Sequence, residues 1–380
     1  MKALKFYGDQ LVTGKNAINY MKTLNYERIF IVTGGSSAFK NGSIKEIENI
    51  FSNKKIKIFS GIKKNPDTTI VDKGVIEMKD FEPDLVLGIG GGSPIDAAKV
   101  MTLFYDYESL NFKNVLKKDI SNYKRKTDFI AIPSTSGTGT EVTKAAVITF
   151  NDLDLKIGLK SIGFIPDMAI LDSRLTLSMP KNIVAETGLD ALTHALECYI
   201  NHNLDDFTEA MAKGAIEGLL KHLRESYHTG NIESREKVHN YQALAGMAFQ
   251  NVGLGMAHGI SHAFGGMFDF GHGLLNGICL PYVLEYNSKD PRVQEKIDYL
   301  SRVLDVDNVI DEIKALNKEL SIPKSFKALG LAEDVFRENL DLLIDNSLKG
   351  STRGNPVEMN REEMKKILVK IYNGNEKSRE

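Results

Sequence analysis

The chain has 380 residues, with 48 lysines and arginines against 50 aspartates and glutamates. A single hydrophobic core usually stops growing at roughly 250 to 300 residues, so two domains are expected. The balanced charge excludes a strong positive field that would attract nucleic acid or an anionic membrane surface. A small molecule is therefore the expected partner, with no nucleic acid and no membrane.

Cysteine usage and the chain start bear on the cellular compartment. The two cysteines, Cys198 and Cys279, have neither a metal-binding nor a redox spacing. The start, "MKALKFYGDQ", lacks the apolar core of a signal peptide, and no apolar run reaches the length of about 18 residues that a membrane helix needs. These features predict a cytoplasmic protein with reduced thiols.

The first half of the chain alternates short apolar runs with helical patterns. The runs are rich in β-branched residues and read "RIFIVT" (28–33), "IKIFS" (56–60), "DLVLGI" (84–89), "FIAIP" (129–133) and "MAILD" (168–172). Such alternation is typical of βαβ units in a parallel sheet. We therefore predict an α/β domain over residues 1–180.

The pattern changes near residue 180. From "MPKNIVAETGLDALTHALECYI" onward, apolar residues recur three and four positions apart, and strand-like runs disappear. This spacing is that of amphipathic helices. Residues 181–380 are predicted to form an all-α domain.

A glycine-rich turn follows the third of these strands, in "DLVLGIGGGSPIDAAKVM" (84–101). Glycines let a backbone approach a phosphate closely, and the amides and dipole at a helix start favour an anion. The segment therefore predicts a cradle for a diphosphate. Its spacing is not GxGxxG and it does not follow the first strand, so an ordinary Rossmann fingerprint is not supported.

A polar loop, "PSTSGTGTEVT" (133–143), follows the strand "FIAI". Ligands collect at the carboxyl ends of parallel strands, where hydroxyls and exposed amides suit a phosphate or a nicotinamide carboxamide. The loop is a weak signal by itself, and its pairing with the glycine turn gives it meaning.

Several titratable residues have a spacing suited to a metal ion. In "ETGLDALTHALECY" (186–199), Asp190 and His194 lie at i and i+4, on one face of a helix. Three of the chain's eight histidines, His258, His262 and His272, stand in "GMAHGISHAFGGMFDFGHG" (255–273). One carboxylate and three imidazoles suit iron(II) or zinc with a position open for substrate. On spacing alone, His262 is either a fifth ligand or an acid or base outside the ligand shell.

At these motifs the chain resembles the iron-containing, or group III, alcohol dehydrogenase family. The resemblance runs through almost the whole length and rests on "GGGSPIDAAK", "ETGLDALTHALE" and "GMAHGISHAFGGMFDFGHG". It implies a Rossmann-like N-terminal domain of the dehydroquinate-synthase type, an all-α C-terminal domain, and a homodimer.

The resemblance also implies site residues. The metal ligands would be Asp190, His194, His258 and His272, and His262 would be the active-site histidine near the nicotinamide. The cofactor residues would be Gly91, Gly92, Ser93, Thr135, Ser136, Thr138 and Lys156, with Asn65 near the adenosine side. Phe249, Phe264 and Phe268 are expected to line the substrate pocket, because they lie in apolar stretches around the metal residues.

One departure bears on the choice of cofactor. Many NAD-using members of the family carry an acidic residue directly after the first strand's "VT", where it accepts from the ribose 2′-hydroxyl. This chain has Gly34 and Gly35 there, followed by two serines, with Lys40 close by. Without the carboxylate a 2′-phosphate meets no repulsion. We therefore expect NADP(H) to be preferred over NAD(H). The family contains both iron and zinc users with the same ligand set, and we expect Fe²⁺ as the first choice of divalent metal and Zn²⁺ as the second.

The expected reaction is the reversible oxidation of a primary alcohol to its aldehyde, with hydride passing to the nicotinamide. His262, titrating near neutrality, is the expected proton carrier. A metal-dependent hydrolase or lyase without nicotinamide stays open but would leave the glycine cradle unexplained, and a non-enzymatic nucleotide sensor would leave the metal residues unexplained. Two alternatives of the same fold also stay open: a polyol oxidoreductase resembling glycerol dehydrogenase, and a metal-dependent lyase of the dehydroquinate synthase type. Both share the glycine cradle, but their sites resemble an Asp, His, His set, so the additional His194 counts against them.

Overall fold

The structure is a computed structural model that describes residues 5–153 and 155–374. The chain divides into two compact units. The first ends at Met179 and also includes Asn231–Gln250, and the second consists of Pro180–Gly230 and the chain from Asn251 onward. Among the described residues, no helix has both the length and the apolar character needed to cross a membrane.

A parallel sheet forms the centre of the first unit. The strands of this unit are β1 Gln10–Thr13, β2 Arg28–Thr33, β3 Lys55–Phe59, β4 Leu85–Gly90, β5 Asp128–Pro133, β6 Ala145–Phe150, β7 Leu155–Lys160 and β8 Met168–Leu171. Six of them form the sheet in the order β1-β8-β5-β4-β2-β3, and β6 and β7 pair separately as an antiparallel hairpin. The expected parallel α/β fold is confirmed, although the sequence patterns identified neither β1 nor the hairpin.

Alternating side chains of the strands fill two apolar layers, one on each face of the sheet. Phe30 and Val32 of β2 point into one layer, and Ile29 and Ile31 of the same strand into the other. Burial on both faces explains why these strands read as continuous apolar runs. Helices of this unit are α1 Ser37–Lys40, α2 Ser43–Ile50, α3 Thr68–Phe81, α4 Gly92–Asp106 and α7 Ile232–Val252, of which the last two residues fall in the second unit.

The second unit is helical, as the spacing predicts. The helix α5 begins at Lys181 and is almost entirely buried from Gly188 to Ile200. Its helices are α5 Lys181–Ile200, α6 Asp206–His228, α8 Met256–Phe268, α9 His272–Asn287, α10 Pro291–Val303, α11 Val309–Glu319, α12 Phe326–Leu329, α13 Glu333–Ser347 and α14 Arg361–Asn373.

Candidate metal centre and cofactor site

Three histidines of the second unit surround one oxygen of Asp190. The Nε2 atoms lie 3.6 Å away for His272, 3.7 Å for His258 and 4.0 Å for His194, all measured to Asp190 Oδ1. The ligand atoms of Asp190, His194 and His258 all lie within 4.8 Å of one another. Such spacing suits donors that share one ion at bond lengths of about 2.0 to 2.2 Å. One carboxylate and three imidazoles are therefore brought together as the sequence predicts.

The close approach of α9 to α5 depends on glycine beside His272. A Cβ atom built on Gly273 would lie 2.1 Å from the carbonyl oxygen of Glu186 and 3.2 Å from Asp190 Cβ. No side chain fits at the first of these distances, so the absence of a side chain at residue 273 lets His272 reach Asp190. The sequence "GHG" thus reflects helix packing as well as ligand chemistry.

Glu197, which sequence reasoning missed, fixes His258. Its Oε2 lies 2.7 Å from His258 Nδ1 and accepts from the Gly255 amide, while Oε1 accepts from the Ala257 amide. Both amides lie at the start of α8, where helix amides lack internal partners and favour a negative charge. One carboxylate therefore anchors the helix start and orients the imidazole so that Nε2 faces Asp190. A carboxylate behind a histidine ligand is a common arrangement in metal sites.

Asn276 is a second residue missed by sequence reasoning. Its Nδ2 donates to Asp190 Oδ1 at 2.7 Å and lies 3.1 Å from His258 Nε2 and 3.2 Å from His272 Nε2. Its Oδ1 accepts from the Ser261 hydroxyl at 2.6 Å. The Ser261 hydroxyl thus fixes the Asn276 side chain, and the Nδ2 group of Asn276 in turn orients the Asp190 carboxylate.

The electrostatics of the cluster favour an ionised carboxylate. Burial alone would raise the pKa of Asp190, but the positive charges of His194 and His272 and the bond to His258 hold that pKa well below its usual value. Burial would lower the pKa of His258, but its bonds to Asp190 and Glu197 raise the pKa to about 9. The carboxylate is therefore ready to bind a cation at neutral pH.

His262 lies beside this cluster. Its ring stacks on that of His272, with centroids 4.9 Å apart and an interplanar angle of 10°. The centroid of His258 lies 6.1 Å away, one helical turn earlier on α8. The side chain keeps exposed surface, yet the surrounding protein and the charges of His272 and His258 place its pKa well below 6.5. The expectation that His262 titrates near neutrality did not include the desolvation of the ring by the surrounding protein, which lowers its pKa.

One expected pocket residue belongs to the core. Phe264 is fully buried, and its ring stacks on Phe326 with centroids 4.2 Å apart. The expectation that it lines the substrate pocket is therefore wrong, because this face of α8 packs against other helices. Phe268 is partly buried and contacts Phe264 and Phe270.

In the first unit, the glycine turn and the polar loop lie side by side. A Cβ built on Gly91 would lie 3.5 Å from the side chain of Thr135, and one built on Gly92 would lie 3.0 Å from Thr138 Cγ2. The helix α4 starts at Gly92 with no side-chain cap, and Ser93 is in its first turn. Its first amides therefore suit an anionic ligand, and the cradle fits the diphosphate of a dinucleotide.

The other predicted cofactor residues lie around the same sheet. Gly34 follows β2, and its carbonyl accepts from the Gly61 amide. Asn65 has a φ of 58°, and its carbonyl oxygen lies 3.5 Å from the hydroxyl of Thr149, whose partner across the hairpin is Lys156. Ser136 is buried, and its hydroxyl lies 2.9 Å from Nδ1 of His239, a residue that the sequence analysis did not select.

Family models match both halves of the chain. A model described as "Iron-containing alcohol dehydrogenase" matches residues 9–173, and one described as "Fe-containing alcohol dehydrogenase family, C-terminal" matches residues 184–372. The chain belongs to the iron-containing alcohol dehydrogenase family. Membership supports a divalent metal and a nicotinamide dinucleotide as cofactors.

Individual relatives carry the same activity in their names. The NADPH-dependent butanol dehydrogenase of Clostridium saccharobutylicum is 38% identical over 376 residues, covering 96% of each chain. The 1-propanol dehydrogenase of Citrobacter freundii is 32% identical, covering 95% of this chain and 98% of the relative. The iron-containing alcohol dehydrogenase structure from Thermococcus thioreducens superposes with a TM-score of 0.91 at 31% identity, covering 99% and 100% of the two chains. The chain is thus a metal-dependent, NAD(P)-linked alcohol dehydrogenase.

Proposed function

We propose that this alcohol dehydrogenase interconverts primary alcohols and aldehydes, uses Fe²⁺ in preference to Zn²⁺, and prefers NADPH to NADH. The observation that carries the proposal is the Asp190 cluster, in which one carboxylate oxygen lies within 4.0 Å of Nε2 atoms on three histidines. The named butanol and propanol dehydrogenases support a primary alcohol as substrate. We also propose the cytoplasmic location and the homodimer that the sequence predicts.

Each residue has a role in this proposal. Asp190, His194, His258 and His272 would hold the metal ion, while Glu197 and Asn276 orient the ligands. When bound, the ion supplies Lewis-acid polarisation of the substrate oxygen, and the nicotinamide supplies or accepts the hydride. His262, beside the ligand cluster, is proposed to carry the proton that accompanies hydride transfer.

The domains divide these roles. Residues 1–180 are proposed to bind the dinucleotide, with Gly91, Gly92 and Ser93 at the diphosphate. Residues 181–380 are proposed to carry the metal, although their segment Asn231–Gln250 lies in the first unit. Thr135, Ser136 and Thr138 would complete the nucleotide site. Gly34 would lie at the ribose 2′ position and Asn65 near the adenosine side, and Lys156 would also contact the cofactor.

The test is an activity panel with metal-stripped protein. Primary alcohols and aldehydes of increasing length, secondary alcohols and glycerol would be assayed with NADPH and NADH after adding Fe²⁺ or Zn²⁺ under anaerobic conditions. We expect the highest kcat/KM for a primary aldehyde with NADPH and Fe²⁺. A preference for glycerol would favour the polyol alternative, and metal-dependent turnover without any nicotinamide would favour the lyase.

A carboxylate at residue 34 is expected to shift cofactor preference toward NADH. A Cβ there would lie 3.5 Å from the Ile62 carbonyl oxygen, an ordinary contact, so Gly34→Asp fits. The new carboxylate should repel a 2′-phosphate and accept from a ribose hydroxyl. We expect the ratio of kcat/KM for NADPH to that for NADH to fall at least about tenfold, which is about 1.4 kcal/mol.

Gly34→Asn is the matched control, because it adds the same bulk without the charge. An equal fall in both variants would assign the effect to shape. A tenfold preference of the unaltered enzyme for NADH would contradict our interpretation of the "TGGSS" segment.

A further inference from the structure

The helix α7 of the first unit buries polar side chains on one face. Arg235, His239 and Gln242 lie at i, i+4 and i+7, and each is at most 4% exposed. Gly246 follows at i+11 on the same face and is buried as well. A buried helix face is ordinarily apolar, since a buried polar group costs free energy unless it is hydrogen-bonded. The hydrogen-bond partners of these polar side chains therefore indicate the structural role of this helix face.

Two of these side chains hold the loop that follows β5. Gln242 Oε1 accepts from the Gly139 amide at 2.9 Å, and Gln242 Nε2 donates to Glu141 Oε1. His239 Nδ1 lies 2.9 Å from the Ser136 hydroxyl. Burial lowers the pKa of His239 to about 4, so its ring is neutral at pH 7. The helix is thus bonded to the loop at three points between residues 136 and 141.

The backbones of helix and loop also touch. A Cβ on Gly246 would lie 2.8 Å from Val142 Cγ2 and 3.0 Å from Gly139 Cα. Gly139 itself has a φ of 61°, in the left-handed region that favours glycine, and a Cβ on it would lie 2.8 Å from Gly246 Cα. This contact fixes the distance between α7 and the loop, because a side chain on Gly139 or Gly246 would push the two segments apart.

The same helix contacts the carboxyl ends of neighbouring strands. Asn240 accepts from the Thr13 hydroxyl at the end of β1, and Glu236 accepts from the Ser173 hydroxyl just after β8. In the sheet β1, β8 and β5 are adjacent, so α7 crosses three neighbouring strand ends. The ends of β4 and β2, which carry the glycine turn and Gly34, are the next two along this edge.

We propose that α7 positions the residues 134–143 loop for the nicotinamide cofactor, with Gln242 and His239 as positioning residues. The inference rests on the proposed function, because it takes this loop as part of the cofactor site. Thr135 and Thr138 lie against Gly91 and Gly92, so a displaced loop would change the shape of the diphosphate cradle. Gln242 and His239 act on the cofactor only through the loop.

Gln242→Met is the test variant, and Gln250→Met is its matched control. Both glutamines are buried on α7, but Gln250 donates to the Phe6 carbonyl at 2.8 Å instead of to the loop. Methionine keeps the length of the side chain and removes its hydrogen bonds. The measurements are the NADPH dissociation constant by fluorescence quenching, the metal content, and hydrogen exchange of the peptide that spans residues 134–143.

We expect the NADPH dissociation constant to rise about tenfold in Gln242→Met, which corresponds to about 1.4 kcal/mol. Loop amides should exchange faster and metal content should be unchanged, while Gln250→Met should leave binding and loop exchange within about twofold of the unaltered enzyme. If Gln242→Met does not fold, His239→Phe provides the same test, because it keeps a ring and removes the bond to Ser136.

Equal NADPH affinity and equal loop exchange in the Gln242 variant would overturn the inference. An equal loss in both glutamine variants would overturn it too, because the effect would then belong to helix stability in general. The proposed function fails differently: the unaltered enzyme would then bind neither NADPH nor NADH.

Discussion

Replacing His258 by alanine is expected to remove bound divalent metal and alcohol dehydrogenase activity together. Its Nε2 lies 3.7 Å from Asp190 Oδ1, and its ring stacks on that of His194 with centroids 4.5 Å apart. The variant would lose one of four donors and leave the buried Glu197 carboxylate without its imidazole partner. The carboxylate would keep only the Gly255 and Ala257 amides as partners, and loss of a buried charge's partner is costly, so the variant should also unfold at a lower temperature.

Elemental analysis after gel filtration measures this loss directly, and circular dichroism establishes that the variant is folded. His228→Ala is the control, since the His228 side chain is 53% exposed and its nearest ion-pair partner, Glu319, is 3.9 Å away. The control should keep metal and activity. Full metal occupancy in a folded His258→Ala protein would exclude His258 as a ligand.

A milder variant separates a ligand from the residue that orients it. Glu197→Gln keeps the shape of the side chain but removes the charge behind His258 and at the start of α8. Replacing such an orienting residue typically weakens metal affinity by about 10 to 100 times. We therefore expect Glu197→Gln to bind metal at raised concentration and to recover activity there, whereas His258→Ala recovers none.

The sequence predicted the sheet where burial was two-sided. The run 28–33 in β2 is apolar throughout because both of its faces are covered, so its pattern identified it. The hairpin strands β6 and β7 were missed because apolar residues also stand at exposed positions, with Val147 44% and Leu155 57% exposed, so the apolar pattern of the sequence does not follow their burial. β1 has only four residues, too few for a pattern.

The candidate metal residues could be predicted because histidine is scarce in this chain, because Asp190 and His194 are four residues apart on one helix face, and because three histidines stand within residues 255–273. Glu197 could not, since a glutamate in a helix is ordinarily solvated, and only the structure shows it 2% exposed against His258. Its position at i+7 from Asp190, on the same helix face, was the available signal. Asn276, at i+4 from His272, carried a similar one.

The polar stripe on α7 was a further unused signal. His239 and Gln242 have the spacing of a buried helix face, but polar residues at such spacing are read as solvent-exposed when partners are unknown. Their partners, Ser136 and Gly139, lie about one hundred residues earlier in the chain, with sequence separations of 103 in both cases. Pairing across that distance is set by the fold and not by any local pattern.

The variant His262→Ala is expected to keep metal and cofactor but lose turnover. The Nε2 atoms of His194, His258 and His272 lie within 4.0 Å of Asp190 Oδ1, and these four residues complete the proposed ligand set, so removal of His262 should leave the metal in place. A positioned acid or base contributes about 10² to 10⁴-fold, and the lower value is expected here because water can replace part of the path.

His262→Phe is the matched variant, since it can keep the ring stacked 4.9 Å from His272 but cannot carry a proton. Elemental analysis, NADPH titration and kcat in both directions would be measured for the two variants. If His262→Phe has normal turnover, His262 only packs against His272 and the proton takes another route. If either variant loses metal, His262 belongs to the ligand set.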